Sequence, residues 1–328
     1  MTDREIFYKI VNFDKPDRLI CGPPCHGMEY MGVNHQGYDD TDHNDGNNKP
    51  VGAKWTDIWN TGWVKEYPDV MGFPKVNPLS DLSALKNYIW PNPNDERICK
   101  LIYAGKDNYD VSMDKILSGA HRDTLWEKSY MLVGMENMMD YFYTEPNYVR
   151  EILHKIMDFQ MGIAEHYIKC GVEMVHLGDD LGCQDRLLLS PGIINEFLVP
   201  EYRRLFDFYR KKNVLIGFHS CGYVEPLLEL FIDLGVNILN PMQATANNFY
   251  NVINVTKGRM AIQGGISTKI IMEKSEREIR DTVIETIGVL GKYGGYFCSA
   301  DQGMPFPPGS LETVKKAVEN YDVNKLQI

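Results

Sequence analysis

The chain has 328 residues, 44% of them hydrophobic, which is enough for one large or two ordinary domains with a sizeable core. Its formal net charge of −11 disfavours binding to nucleic acid and to anionic membrane surfaces. The charged first residues, and the lack of an apolar stretch of about 18 to 20 residues, predict a soluble, cytoplasmic protein. The odd number of cysteines, seven, indicates reduced thiols and no disulfide framework.

Residues 1–97 are predicted to be an N-terminal extension of the same domain, made largely of irregular structure and capping loops. Prolines, glycines, asparagines and aromatic residues crowd residues 21–97, a composition typical of turns and loops. Two groups here have the chemistry of metal ligands: Cys21, Cys25 and His26, and then His35, Asp39, Asp42, His43 and Asp45. A plain turn and a solvated polar loop are the favoured interpretations of these two groups.

Residues 98–328 alternate short apolar runs with amphipathic segments, a pattern that predicts a parallel sheet with helices. Strands are predicted at residues 98–104, 130–133, 173–178, 214–219, 237–241, 260–264 and 295–299. Helices are predicted at residues 146–170 and 190–212, each opened by a proline. A third helix is predicted after Ser275, which forms with Glu278 the S-x-x-E pattern of a capping box.

His219 and Cys221 stand at the end of one apolar run, and Cys298 at the end of another. Residues i and i+2 of an extended chain point to the same side, so His219 and Cys221 can bind one ion. Cys298 can join them where parallel strands end side by side at one face of a barrel. These three ligands would leave one position of a catalytic zinc open. The alternative is that the cysteines are small buried hydrophobic residues and the histidine a hydrogen-bonded core residue.

Two adjacent carboxylates, Asp179 and Asp180, follow the strand predicted at residues 173–178. Adjacent side chains point in opposite directions on an extended chain, so we expect one of the two at the site, as an orienting group or a general acid. The alternative is a cap on the next helix or turn. Other polar residues after predicted strands are candidates for substrate binding, with loop hydrogen bonding as the alternative: Glu136, Asn240, Gln243 and Asp301.

Four motifs follow one another in the second half of the chain: GDDLG at residues 178–182, LSP at 189–191, HSCG at 219–222 and LGVNILNP at 234–241. Together they resemble the uroporphyrinogen decarboxylase superfamily. More narrowly, their order is similar to that of the zinc-dependent methyltransferases of this superfamily, which work with corrinoid proteins. KWTDIW at residues 54–59, PLSDL at 78–82 and WPNP at 90–93 are similar to members that demethylate a small methyl donor.

The resemblance implies a (β/α)8 TIM barrel at residues 98–328, with zinc bound by His219, Cys221 and Cys298. The irregular composition of the N-terminal extension predicts that it caps the mouth of this barrel. The resemblance also implies transfer of a methyl group from a small methylated donor, such as an O-methyl aromatic ether, to the cobalt(I) corrinoid of a partner protein. Residues 18–30 contain one arginine, Arg18, where the decarboxylase proper has an arginine motif, which disfavours porphyrinogen decarboxylation. Gln243 stands about where the related cobalamin-independent methionine synthases have a glutamate ligand.

Three alternatives stay open from the sequence. A methylated corrinoid could give its methyl group to a zinc-bound thiolate, as in the thiol methyltransferases of the family. The chain could be a metal-free decarboxylase or lyase on the same barrel, or a corrinoid-handling protein without catalytic activity. The sequence makes no prediction of the oligomeric state.

Overall fold

The computed structural model describes residues 1–40, 49–68 and 70–328. The strands are β1 (Cys25–Met28), β2 (Lys54–Thr56), β3 (Gly62–Val64), β4 (Phe73–Val76), β5 (Ile116–His121), β6 (Met174–Gly178), β7 (Leu215–His219), β8 (Ile238–Met242), β9 (Ala261–Ile266) and β10 (Tyr296–Ala300). The α-helices are α1 (Asp3–Val11), α2 (Glu96–Asp107), α3 (Trp126–Val133), α4 (Met135–Thr144), α5 (Pro146–Lys169), α6 (Pro191–Ile193), α7 (Val199–Arg210), α8 (Leu228–Leu234), α9 (Phe249–Thr256), α10 (Thr268–Glu273), α11 (Glu276–Leu290) and α12 (Ser310–Glu319). A π-helical segment, Ile194–Leu198, joins α6 to α7, and short 3-10 helices lie at Leu82–Asn87, Val111–Met113, Glu225–Leu227 and Val323–Lys325.

Seven strands form one parallel sheet in the order β1-β5-β6-β7-β8-β9-β10. On its inner face, Ile116, Met174 and Phe297 form one apolar cluster with α1, and Cys25 of β1 packs against the same cluster. Strands from both ends of the sheet thus meet in one place, so the sheet curls into a barrel-like shape. Helix α1 fills the end of this barrel where the strands begin.

The outer face of the sheet packs against the helices. Leu117, Val175 and Ile262, each next to an inward-facing residue, belong to the large core between sheet and helices. The predicted helices at 146–170 and 190–212 are confirmed, and Ser275 and Glu278 form the predicted capping box of α11. No helix in the described part of the chain is long and apolar enough to span a membrane.

The prediction of a parallel α/β fold is confirmed, and the described sheet has seven strands where the barrel prediction requires eight. Residues 98–104 and 130–133, predicted as strands, lie in α2 and α3. Ile98 and Ile102 are both buried four residues apart, a helical spacing. The first two strands of the parallel sheet, β1 and β5, were not predicted, and β5 was missed because it has small residues in place of an apolar pattern. Gly119 of β5 is required, since a Cβ atom there would lie 2.6 Å from the ring of Tyr167.

A small antiparallel sheet of β2, β3 and β4 lies in the N-terminal segment. Asp57 fixes the turn between β2 and β3 by accepting hydrogen bonds from two backbone N–H groups and from Nε1 of Trp63. The segment contacts the barrel through His35, whose Nε2 atom lies 2.6 Å from Oδ2 of Asp123. Met71 of the same segment lines a cavity in the barrel. That the segment caps the barrel mouth stays a prediction.

The two N-terminal groups with metal-ligand chemistry do not form metal sites among the described residues. Cys25 and His26 are adjacent on β1 and diverge, because Cys25 packs with the inner cluster while Nε2 of His26 lies 2.9 Å from the carbonyl oxygen of Gly105. In the second group, His35 is buried against Asp123. Three members of that group lie outside the described residues: Asp42, His43 and Asp45.

Candidate metal centre

Asp180, His219 and Cys221 bring their ligand atoms together where β6 and β7 end. The Sγ atom of Cys221 lies 3.3 Å from Nε2 of His219, and Oδ1 of Asp180 lies 3.5 Å from the same nitrogen. In the described part of the chain, these three form the one group of His, Cys, Asp or Glu side chains whose ligand atoms all lie within 4.8 Å of one another. They define a candidate metal centre at the carboxyl ends of two neighbouring strands.

The two strands explain why these side chains meet. Gly178, the last residue of β6, pairs with His219, the last residue of β7. A Cβ atom at Gly178 would lie 3.2 Å from Cβ of His219, so glycine leaves room for the imidazole. Oδ1 of Asp180 accepts a hydrogen bond of 2.8 Å from the backbone N–H of Cys221. This bond ties the loop after β6 to the loop after β7.

Two amide side chains support the centre, Asn240 within the next strand, β8, and Gln243 directly after it. Nδ1 of His219 donates to Oδ1 of Asn240 at 3.0 Å, which leaves Nε2 free to bind an ion. Oε1 of Gln243 accepts a hydrogen bond of 2.9 Å from the N–H of Gly222, which follows Cys221. The structure therefore places both predicted amides next to the candidate ligands, where they hold the ligands in position.

The electrostatics of the centre favour a cation. Burial disfavours the charged form of Asp180, but hydrogen bonds from His219 and from the N–H of Cys221 outweigh it and hold the pKa of Asp180 below its usual value. Burial also disfavours charged His219, yet contact with Asp180 and Cys221 raises the pKa of His219 well above its usual value. A positive charge is stabilised between these groups, and a metal ion can supply it.

A cavity of about 400 Å³ opens beside the centre, within the usual range for small-molecule sites. Its polar side chains are Arg122, Asp123, Glu127, His176, Asp180 and His219. His176 lies deeper in the barrel, 3.5 Å from Sγ of Cys25. Its ring is open to the cavity but surrounded by protein, and this burial lowers the pKa of His176 to about 4. The imidazole of His176 is therefore neutral at pH 7.

Three cavity residues, Arg122, Asp123 and Glu127, were not singled out from the sequence. They follow β5, a strand that the apolar pattern did not reveal. The signal that could have found them is the charged pair Arg122 and Asp123 directly after a run of small residues. Burial, and then the nearby carboxylates of Asp123 and Asp179, raise the pKa of Glu127 well above its usual range.

Asp179 has a different environment from Asp180. It is fully buried and accepts hydrogen bonds from the N–H groups of Leu125 and Glu127, at 2.9 and 2.8 Å. The hydroxyl of Tyr202 donates a third bond at 2.6 Å. Burial raises the pKa of Asp179 to about 7, although these hydrogen bonds oppose the shift. Asp179 therefore anchors the start of α3 and does not line the cavity. It caps a helix, but one that precedes it in the chain and not the next one, which the capping alternative named.

Two predicted substrate-binding acids lie elsewhere. Asp301 is buried and accepts hydrogen bonds from the N–H groups of Ala244 and Thr268, so it ties two loops together. Glu136 is exposed on α4 and does not line the cavity. It was predicted at the barrel rim because residues 130–133 were read as a strand, and these residues are helical.

The structure does not bring Cys298 to His219 and Cys221, contrary to the prediction. Its neighbour Phe297 faces the inner cluster, so Cys298 faces the core between sheet and helices. Burial there raises the pKa of the Cys298 thiol to about 12. A parallel strand is apolar on both faces, so the pattern of β10 did not reveal which residues point inward.

Gln302, just after β10, is the residue that reaches the centre from this side. Its Nε2 atom donates a hydrogen bond to Sγ of Cys221 at 3.1 Å. The sequence did not mark it, because a neutral amide is a poor metal ligand. This hydrogen bond joins the loop after β10 to the candidate ligand Cys221.

The donor set fits zinc. An imidazole nitrogen, a thiolate sulfur and a carboxylate oxygen are the three common types of zinc ligand, and catalytic zinc sites use three protein ligands with one position open. One neutral and two anionic ligands would balance the charge of the ion. The third candidate ligand is thus Asp180, whereas the sequence predicted Cys298.

The fold and the centre define a barrel-like α/β protein with a three-ligand site at the carboxyl ends of its strands. The family model of uroporphyrinogen decarboxylase (URO-D) matches residues 126–321, and the chain belongs to this family. The matched segment contains all three candidate ligands.

A solved structure shows the same fold. A methyltransferase from Methanosarcina mazei superposes with a TM-score of 0.67 over 97% of this chain and 98% of that chain, at 14% sequence identity. A B12-independent methionine synthase from Shewanella sp. W3-18-1, in complex with selenomethionine, covers 62% of this chain and 60% of that chain at 13% identity. Its TM-score of 0.33 is too low to inform the fold. A sequence search of curated proteins gave no match.

Proposed function

We propose that this protein is a zinc-dependent methyltransferase that moves a methyl group from a small methylated donor, such as an O-methyl aromatic ether, to the cobalt(I) corrinoid of a partner protein. The observation that carries the proposal is the meeting of Asp180, His219 and Cys221 beside a cavity of about 400 Å³. Membership of the URO-D family and the shared fold of the Methanosarcina mazei methyltransferase support it.

Asp180, His219 and Cys221 would hold the zinc ion. When bound, zinc supplies Lewis acidity that stabilises the negative charge left on the heteroatom of the donor as the methyl group departs. Asn240 fixes the ring of His219, and Gln243 fixes the loop that carries Cys221. The ligands are therefore held in place before metal and substrate arrive, which reduces the cost of ordering them.

The charge of the cavity argues against the decarboxylation reaction that gives the family its name. That reaction uses a substrate with several carboxylates. The cavity wall carries three acidic residues, Asp123, Glu127 and Asp180, and a single arginine, Arg122. A substrate with several carboxylates would find a single arginine to pair with among the described residues of this wall, whereas a small uncharged methylated donor needs none.

The first test is the zinc content of protein purified without added metal. We expect about one zinc per chain in the wild type, in line with one three-ligand site, and loss of zinc in His219→Ala and Cys221→Ser. The matched control is His154→Ala, which removes an exposed histidine of α5. Wild-type protein without zinc, or zinc retained in both variants, would overturn the proposed centre.

The second part of the test is methyl transfer with free cob(I)alamin as acceptor. Zinc-loaded wild type, mixed with a panel of O-methyl aromatic ethers, should convert cobalt(I) to methylcobalt(III), which is followed by absorbance. His219→Ala should leave only the background rate. A zinc-loaded wild type that transfers no methyl group from any donor would reject the methyltransferase function.

A further inference from the structure

The cavity wall that follows β5 carries an acid without a cationic partner. Glu127 lines the cavity together with Asp180 and His219. Oε1 of Glu127 accepts a hydrogen bond of 3.1 Å from the hydroxyl of Tyr130, and no cation among the described residues forms an ion pair with it. Glu127 has no hydrogen bond to the three candidate ligands, and no role in holding the metal.

The groups that face Glu127 keep it neutral. They are the carboxylates of Asp123, Asp179 and Asp180, with the hydroxyls of Tyr130 and Tyr202. The N-terminus of α3 could favour a carboxylate, but the N–H of Glu127 already donates to Asp179. Burial and the surrounding negative charge raise the pKa of Glu127, so the protonated acid is its favoured form at pH 7 in the metal-free protein.

Two cations close to Glu127 have other partners: Arg122, which lines the same cavity, and Lys128, the next residue in the chain. Nη1 of Arg122 donates to Oδ1 of Asn34 at 3.2 Å, and Nε of Arg122 lies 3.8 Å from Asp123. Nζ of Lys128 lies 5.5 Å from the ring centre of Trp59, in the buried core. Neither cation neutralises Glu127, which leaves this residue able to donate a proton into the cavity.

We infer that Glu127 donates a proton to the leaving heteroatom of the methyl donor, and that the donor is an uncharged methyl ether, not a methylated onium ion. The inference rests on the proposed function. In the step, the bond between methyl carbon and ether oxygen breaks, its electron pair stays on the oxygen, and the oxygen takes the proton of Glu127. The methyl group passes to cobalt(I), which provides the electron pair of the new bond and becomes cobalt(III). Glu127 then regains a proton from water.

The residues that line the cavity favour an uncharged ether over an onium ion as the methyl donor. A methylated onium ion leaves as a neutral amine or sulfide and has no use for a proton donor. Proteins recognise quaternary ammonium groups with cages of aromatic rings. The described residues that line this cavity include no Phe, Tyr or Trp, and they include Arg122, which repels a cation.

The kinetic test compares aryl methyl ethers whose phenol products differ in pKa. Each is assayed with free cob(I)alamin and zinc-loaded wild type, Glu127→Gln and Glu285→Gln, the last a control at an exposed glutamate of α11. A general acid contributes about 100-fold or more. We expect Glu127→Gln to lose about this factor with the least acidic phenols and much less with the most acidic ones, and the control to lose nothing. A loss that is equal across the series, or absent, overturns the inference.

Two further readouts distinguish the loss of a proton donor from a loss of stability. In metal-free protein at pH 7, the infrared carbonyl stretch of protonated carboxylic acids should be weaker in Glu127→Gln than in wild type by the contribution of one group, because Asp179, with a pKa of about 7, contributes to this region in both proteins. The alkaline fall in the wild-type rate, expected because only protonated Glu127 donates, should also be missing in that variant. Glu127→Asp, a shorter acid, should restore part of the rate. An ionised Glu127 at pH 7 overturns the inference even if no donor is found.

The zinc content separates the two proposals. Glu127→Gln should bind as much zinc as wild type, because Glu127 is not a ligand. If wild type binds no zinc or transfers no methyl group from any donor, the proposed function fails. If wild type is active and Glu127→Gln matches it with every donor, only the inference about Glu127 fails.

Discussion

The inner and outer faces of the parallel sheet are built by the same strands and have different chemistry. On the inner face, apolar residues near α1 give way to His176 and His219 toward the carboxyl ends. On the outer face, residues such as Val175 and Cys298 pack against helices along the whole strand. Polar chemistry is therefore concentrated on one face at one end, where solvent and substrate can reach it.

Asp179 and Asp180 show how a single step along the chain separates the two environments. Asp179 is fully buried and saturated by three hydrogen bonds. The side chain of Asp180 is 42% exposed and lines the cavity. Two identical side chains thus lie in different environments, and we assign Asp179 to stability and Asp180 to the proposed metal centre. Variants at the two positions should separate these roles.

The largest effects are expected from alanine at these two positions. Asp179→Ala leaves two backbone N–H groups and the hydroxyl of Tyr202 without an acceptor, which should lower the free energy of unfolding by about 3 kcal/mol. Asp180→Ala should cost about 1 kcal/mol in stability, because its side chain is half exposed, but should abolish stoichiometric zinc binding. Urea unfolding of the metal-free proteins measures the first effect, and metal analysis the second.

Metal-free protein is used in the unfolding experiment because zinc bound to the native state would add its own stabilisation. Equal losses of stability in Asp179→Ala and Asp180→Ala would mean that the two carboxylates do not differ in their contribution to the fold. Retention of zinc by Asp180→Ala would remove the carboxylate from the ligand set. The proposed centre would then need a ligand other than Asp180.

A smaller effect is expected at Asn240, which lies on the inner face beside His219. Its Oδ1 atom accepts a hydrogen bond from Nδ1 of His219 at 3.0 Å. Loss of a residue that orients a ligand typically lowers metal affinity about 10- to 100-fold. Asn240→Ala should therefore weaken zinc binding by this factor, measured by competition with a chelator. Asn240→Asp, which keeps the acceptor, is the control and should bind zinc at least as well as Asn240→Ala; affinity unchanged in Asn240→Ala would contradict the prediction.

The carboxyl-terminal half of the sheet could be predicted from the sequence. Strands β6 to β10 are apolar runs bounded by helices with clear start signals, so both the parallel sheet and the pair His219 and Cys221 followed from the pattern. Strands β1 and β5 could not, because β5 contains Ser118, Gly119 and Ala120 in place of large apolar residues. The small residues make room for Tyr167, a contact that no local pattern contains.

The candidate site was predicted only where it follows strands with a clear apolar pattern. The residues on β7 and after β6 were found, whereas Glu127 was missed because it follows β5. Cys298 was assigned to the inner face because a chemical pattern, cysteine at the end of an apolar run, was used without knowledge of which side of β10 faces inward. In strands buried on both faces, only the packing of neighbours such as Phe297 decides that side.

The smallest effect is expected at Cys298, and it tests the assignment of this residue to the outer face. Cys298→Ser places a hydroxyl in an apolar core, which should lower the free energy of unfolding by about 1 kcal/mol. Its zinc content should equal that of wild type, because the thiol points away from the centre. Cys221→Ser, the same substitution on the inner face, should lose the metal. A protein that loses its zinc on Cys298→Ser while staying folded by circular dichroism would show that the thiol reaches the centre, and would restore the ligand set first expected from the sequence.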